Sequence, residues 1–195
     1  MSKSIKVELH GMEPLLMNSN ASVNPLNPLV RELKTLTSKR KRTEEDDRDI
    51  LLLKWRLSMY YDEKLGPYIP SVNLLATLRE AAKKHKRGKD IISSAVVSPS
   101  DIPLHYNGPR NIDELAALAD GKQQFIDVRV GRIKQASVMI SRARFNPPWH
   151  IKCEIVYDDL VFNKDDIMLF LTIGGEKIGL CDYRPRYGRF TVKEV

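Results

Sequence analysis

The sequence predicts an α+β domain, one antiparallel sheet with two main helices on one face. Three observations carry this. Ile5-Lys-Val-Glu-Leu alternates apolar and polar residues, as a half-buried strand does. An apolar stripe at helical spacing follows Ser71, and a series of strand-like segments lies between Ile91 and Tyr157. The 195 residues suit one domain with an insertion better than two full domains.

In chain order, His10-Gly11 closes the first strand, and Glu13-Pro-Leu-Leu-Met follows as a short apolar stretch. Asn24-Pro-Leu-Asn-Pro28 enforces a turn-rich backbone, and Pro28 suits the first turn of a short helix, Leu29 to Leu36. Thr43 is the expected N-cap of a second helix, with Glu44-Glu-Asp-Asp47 at the positive end of its dipole. That helix runs to about Tyr60 and carries Ile50, Leu51, Leu52, Leu53, Trp55, Leu57 and Met59 on more than one stripe. It should therefore be buried on two sides, or bury one against another protomer.

Ser71 is expected to cap the strongest helix, whose buried face is Leu74, Leu75, Leu78, Ala81, Ala82 and His85, and Gly88 to stop it. Ile91–Val97, Phe125–Ile133, Ala136–Phe145 and Trp149–Tyr157 read as strands, with a short helix near Asn111 to Leu118. The tight Arg132-Ile-Lys-Gln link implies a hairpin. A helix from Lys164 to Thr172 starts behind Asn163, and a basic loop leads to a final strand, Arg189 to Val195.

Hydrophobic residues at 42% and charged residues at 29% are ordinary for a packed domain, while aromatics at 7% argue against a long stacking platform. Thirty-two Lys and Arg against 25 Asp and Glu give a charge of +7, which favours polyanions without bearing on the fold. Cys153 and Cys181 cannot define a disulfide framework. The N-terminus lacks the apolar core of a signal peptide and no apolar run is long enough to span a bilayer, so a cytoplasmic, non-membrane protein is expected.

Catalytic signatures are mostly absent. Gly174 and Gly179 have P-loop spacing, but Leu180-Cys181 stands where Lys-Ser/Thr would have to be. His10, His85, His105 and His150 are too scattered for a local zinc motif. The pairs Asp46-Asp47, Asp158-Asp159 and Asp165-Asp166 suit helix starts and turns better than metal binding. No cofactor, metal or small-molecule substrate is expected.

Three basic clusters are the positive signal. Lys39, Arg40, Lys41 and Arg42 lie in a loop, where they either contact a polyanion or pair with the acids that follow. Arg79 and Lys83, with Lys86 and Arg87, gather opposite the apolar stripe of their helix, where the dipole alone favours them. The third is Asp182-Tyr-Arg-Pro-Arg-Tyr-Gly-Arg-Phe190. There Arg184, Arg186 and Arg189 alternate with Tyr183, Tyr187 and Phe190, and Gly188 allows a close backbone approach. Guanidinium groups fork onto phosphate and stack on bases, and tyrosine adds a stacking plane. The strand arginines Arg129, Arg132, Arg142 and Arg144 can extend this surface.

An N-terminal strand entering Pro14-Leu-Leu-Met, then Ile69-Pro-Ser-Val-Asn-Leu-Leu-Ala-Thr-Leu-Arg79, then a glycine-containing basic loop before the last strand resembles the RAMP superfamily, the Cas7-, Cas5- and Cas6-type CRISPR proteins. The chain is also similar to tailed-phage proteins that share Pro25-Leu-Asn-Pro28 and Tyr183-Arg-Pro-Arg-Tyr-Gly-Arg-Phe190. The resemblance implies one ferredoxin-like (RRM/RAMP-type) domain over 1–195, with a helical insertion at about 18–67 that holds the basic loop 38–43. It also implies that Gly179 to Phe190 contacts RNA. Asp182 within that loop would repel phosphate unless an arginine pairs with it.

These expectations favour a non-catalytic, Cas7-like protein that coats single-stranded RNA or DNA, alone or as a homo-oligomer, in a prokaryotic host cell. Two alternatives remain open. One is a phage protein-interaction module, structural or directed against host defence. The other is a Cas6-like endoribonuclease using His10 or His150 as general base.

Overall fold

Alternation along β1 (Ser2–Gly11) buries Ile5, Val7 and Leu9 and turns Lys6 and His10 outward. β10 (Trp149–Asp158) does the same with Trp149, Ile151, Cys153, Ile155 and Tyr157. The two pair antiparallel from Ser2↔Asp158 to His10↔His150, so their apolar faces coincide. The computed structural model describes residues 1–133 and 136–195.

β11 (Phe190–Glu194) lies on the other side of β1, and β5 (Ala95–Ser98) on the other side of β10, giving the order β11-β1-β10-β5. β7 (His105–Tyr106) pairs further along β10. Against the buried face pack α3 (Ser71–Lys83) and α6 (Lys164–Ile173), through Leu74, Leu78, Ala81 and Ala82 of α3 and Ile167, Phe170 and Leu171 of α6. Each large apolar side chain so buried contributes about 1.5–3 kcal/mol. Asn163 caps α6 with a capping box to Asp166.

The molecule is α+β with antiparallel sheets, but there are three sheets among the described residues rather than the single one expected. β8 (Ile126–Ile133) and β9 (Ala136–Phe145) pair antiparallel as the expected hairpin, and residues 134–135 between them lie outside the described residues. The hairpin does not join the main sheet. It pairs instead with β2 (Leu15–Leu16) through Leu15↔Phe145 and Leu16↔Arg144. The third sheet holds β3 (Tyr61–Asp62), β4 (Gly66–Pro70) and β6 (Asp101–Pro103).

Asn27 caps α1 (Pro28–Thr37), and Pro28 takes its first turn. Thr43 and Asp46 form a reciprocal capping box for α2 (Glu44–Ser58). The excess apolar surface of α2 is used within the chain. The helix packs on α1, on β9 and on α5 (Ile112–Lys122), and the Trp55 indole donates to the Phe125 carbonyl at 2.8 Å.

Four local expectations are corrected. Ser71 is the first residue of α3 rather than its cap, and its N–H donates to the Ser100 carbonyl. Lys86, at φ 61°, ends α3, with Lys86 N–H on Lys83 and Arg87 N–H on Ala82. Gly88 therefore opens α4 (Gly88–Ser94), and the strand expected from Ile91 begins only at Ala95. His85 lies past the helix end, exposed, with its ring 5.7 Å from that of Phe170.

Candidate nucleic-acid interface

Strand alternation divides the β8–β9 hairpin into two faces. Ile126, Ala143 and Phe145 enter the core with α2 behind them. The register Asp127↔Arg142 and Arg129↔Ile140 places Asp127, Arg129, Arg142 and Arg144 together on the opposite face. Arg132 is odd-numbered steps away from Arg129 along β8, so it leaves from the other face, near the hairpin tip.

The loop 179–189 lies over that arginine face. Gly179 at φ 84° and Gly188 at φ 71° close its neck, where Leu180 N–H donates to the Gly188 carbonyl at 2.8 Å. A Cβ on Gly188 would sit 2.0 Å from the Leu180 carbonyl oxygen, so no other residue fits without moving the neck. The Thr77 hydroxyl of α3 donates to the Gly179 carbonyl, and Asp182 N–H donates to the Leu16 carbonyl of β2. The loop is thus fixed to both layers of the molecule.

Arg129 is the centre of the arrangement. Its guanidinium lies 4.7 Å from the Tyr183 ring centre and 5.3 Å from that of Tyr187, forks onto Asp127 and donates to the Tyr187 hydroxyl. The Asp127 carboxylate holds its pKa above the usual arginine value. The same contact from Arg129 holds the Tyr187 phenol below its usual 10.0.

Arg142 also stacks on Tyr183, at 4.8 Å, and its Nε lies 2.6 Å from Asp182. The pair is close but off hydrogen-bond alignment, so charge attraction rather than a directed bond holds it. This supplies the arginine partner that Asp182 requires. Arg144 reaches Asp127 at 3.5 Å and donates to Asn146 at 2.9 Å.

Arg184 and Arg186 are exposed, and among the described residues they form no ion pair; nor does Arg189, whose Nε donates to the Pro185 carbonyl. Arg186 stands 5.8 Å from the Tyr187 ring. A cleft of about 570 Å³ opens beside the loop, between Arg184, Tyr183, Lys177 and Glu80. Glu80 also binds Arg79 and Lys83, so these two helix cations border the same cleft while partly neutralised by its carboxylate.

The chain thus assembles Arg129, Tyr183, Arg184, Arg186, Tyr187, Gly188 and Arg189 around one loop and one hairpin face, with Arg79 and Lys83 linked to the neighbouring cleft only through Glu80. No protein-family model matches the chain, and no curated protein matches it. Function has to be argued from this geometry.

Lys39, Arg40, Lys41 and Arg42 sit apart from it, at the start of α2. Lys39 binds Asp46 and Arg42 binds Asp47, leaving Arg40 and Lys41 exposed and without an ion pair among the described residues. Arg142 and Arg144 had only their i, i+2 spacing to mark them in sequence. Asp127 had no sequence signal, because its role depends on strand register.

The scattered histidines also converge. His10, His150 and His105 stand side by side on the open face of the main sheet, with ring centres 5.8 and 4.7 Å apart. Glu8 lies 3.7 Å from His10 and 3.6 Å from both His150 and Lys152. Burial first, then the neighbouring cations, hold His105 below its ordinary 6.5. Burial pushes both Cys153 and Cys181 up to about 12, so neither thiol is a ready nucleophile. Among the described residues, no group of three or more His, Cys, Asp and Glu is placed to hold a metal ion, and no helix is long and apolar enough to cross a membrane.

Proposed function

We propose that the protein binds single-stranded RNA or DNA along the β8–β9 face and the loop 179–189, as a non-catalytic, Cas7-like coating protein. The observation that carries the reading is Arg129 in contact with both Tyr183 and Tyr187, with Arg184 and Arg186 left unneutralised beside it. Rings and guanidinium planes stack on bases of any sequence, and free cations follow the phosphates. A protein whose loop arginines merely balanced its own acids would have left these two paired.

The main sheet supports a ferredoxin-like, RAMP-type reading of the fold. Its elements run β1, α3, β5, β10, α6, β11 in the chain and β11-β1-β10-β5 in space. This is a β-α-β-β-α-β unit, with one insertion between β1 and α3 and another between β5 and β10. The basic loop then occupies the link from the second helix of the unit to its last strand.

Purification without nuclease tests the proposal: the reading expects co-purifying nucleic acid, seen as excess absorbance at 260 nm over 280 nm. Stripped protein should then bind labelled single strands with an affinity that falls with salt, at a log–log slope of about −0.7 per phosphate contact. An affinity that is absent, or indifferent to salt, refutes it.

A second reading rests on the histidine row. Glu8 is positioned to orient His10 or His150, the partner that a Cas6-like general base requires. Cleavage of labelled RNA by wild type and not by His10→Ala favours it; intact RNA with both proteins removes it for that substrate.

A further inference from the structure

A second cleft, of about 390 Å³, opens where β8 begins and β9 ends. We propose that it is a nucleobase pocket that reads one base of the bound strand, an inference resting on the nucleic-acid reading above. Its floor is aromatic: the rings of Tyr106 and Phe125 meet edge-on at 5.7 Å, backed by Phe145. Its rim carries the amides of Asn107, Gln123, Gln124 and Asn146. Among the described residues, the side chains of Asn107, Gln123 and Gln124 make no hydrogen bond within the protein, and all three are exposed.

The chemistry of the lining selects the ligand class. Each amide offers both donors and an acceptor, which is what the edge of a base requires. An aromatic floor takes a flat ring, as in the recognition of unstacked bases in single strands. Among the described residues, Arg144 is the one charged group in the lining, and its positive charge disfavours a cationic ligand there. Arg144 also joins the cleft to the Arg129 cluster through Asp127. A strand whose phosphates follow that cluster therefore carries a base to the pocket.

The backbone adds a second line of support. Phe125 at φ 59° lies in the left-handed region, which is uncommon for a residue with a bulky side chain, whereas Gln123 at φ 54° is there as the C-cap of α5. Such conformations persist where the surroundings impose them and gather at ligand sites. Here the Phe125 carbonyl accepts from both the Trp55 indole and the Arg144 backbone N–H, which fixes the backbone at this point of the cleft.

The test compares binding of single-stranded homopolymers of A, C and U by wild type and by Gln124→Ala/Asn146→Ala, with thermal melting to show that both are folded. Wild type is expected to prefer one base by at least about fivefold, the size of one good base-edge contact. The double variant should bind all three within about twofold of one another, with the salt dependence of wild type retained. Wild type binding without preference, or an unchanged preference in the variant, overturns the pocket and leaves the coating function standing. Failure of wild type to bind any of the three, and equally the DNA homopolymers of A, C and T, refutes the nucleic-acid reading itself.

Discussion

Arg129 touches two tyrosine rings, a tyrosine hydroxyl and a carboxylate, and only a planar fork satisfies all four at once. Arg129→Lys keeps the charge and loses the fork. It is expected to weaken single-strand binding by roughly 1–2 kcal/mol, measured by anisotropy, with little change in salt slope. Asp182 has a different job. Its Arg142 partner has only 13% of its side chain exposed, so Asp182→Ala strands a mostly buried cation. A loss on the order of 3 kcal/mol is expected in urea unfolding. An unchanged midpoint would mean that the pair is not structural. The loop side of this cluster was legible, because arginine and tyrosine alternate within nine residues. The hairpin side was legible only in part: Arg129, Arg142 and Arg144 stood out as strand arginines, but Asp127 and their meeting depend on cross-strand register, which no local pattern states.

Among the elements, those with caps or clean alternation were read correctly. Thr43 and Asp46 announce α2, Asn163 announces α6, and β10 alternates throughout. The stretch after α3 misled because Ile91 and Ile92 look like strand residues, whereas Lys86 turns the chain back to lay α4 against α3. Tertiary packing overrode β propensity there. The α2 cap also predicts a pH effect. Lys39, then the Thr43 backbone, hold the Asp46 carboxyl below its ordinary 3.8. Its folded pKa is depressed, so its stabilising contribution is present above 3.8 and is lost as pH falls through the lowered value. Asp46→Asn should flatten the acid limb of the stability–pH curve; a curve unchanged in shape would contradict this. The loop neck makes a further prediction. Gly188→Ala places a Cβ against the Leu180 backbone and strains a positive φ. It should lower nucleic-acid affinity about tenfold or more, as the loop arginines lose their bearing on Arg129. Full affinity in a folded Gly188→Ala protein would show that the neck does not position them.

Taken as a whole, the molecule places a helix-backed main sheet beside a separate hairpin layer, and the basic loop spans the two. The sequence pointed to the strands, to the main helices and to the loop. It pointed to one sheet because nothing in a strand pattern says which strand is its neighbour, and β9 chooses Leu15–Leu16 over the main sheet. The basic loop at Lys39–Arg42 was grouped with the others by charge alone; in space it stays at the start of α2, held by Asp46 and Asp47. The proposed strand-binding track therefore runs along the hairpin face and the 179–189 loop, not along Lys39–Arg42. Ultraviolet cross-linking of bound single-stranded RNA or DNA, with peptide mapping of the adducts, tests this most directly. Adducts at Tyr183 and Tyr187 are expected, and adducts confined to Lys39–Arg42 or to the His10–His150 row would contradict it.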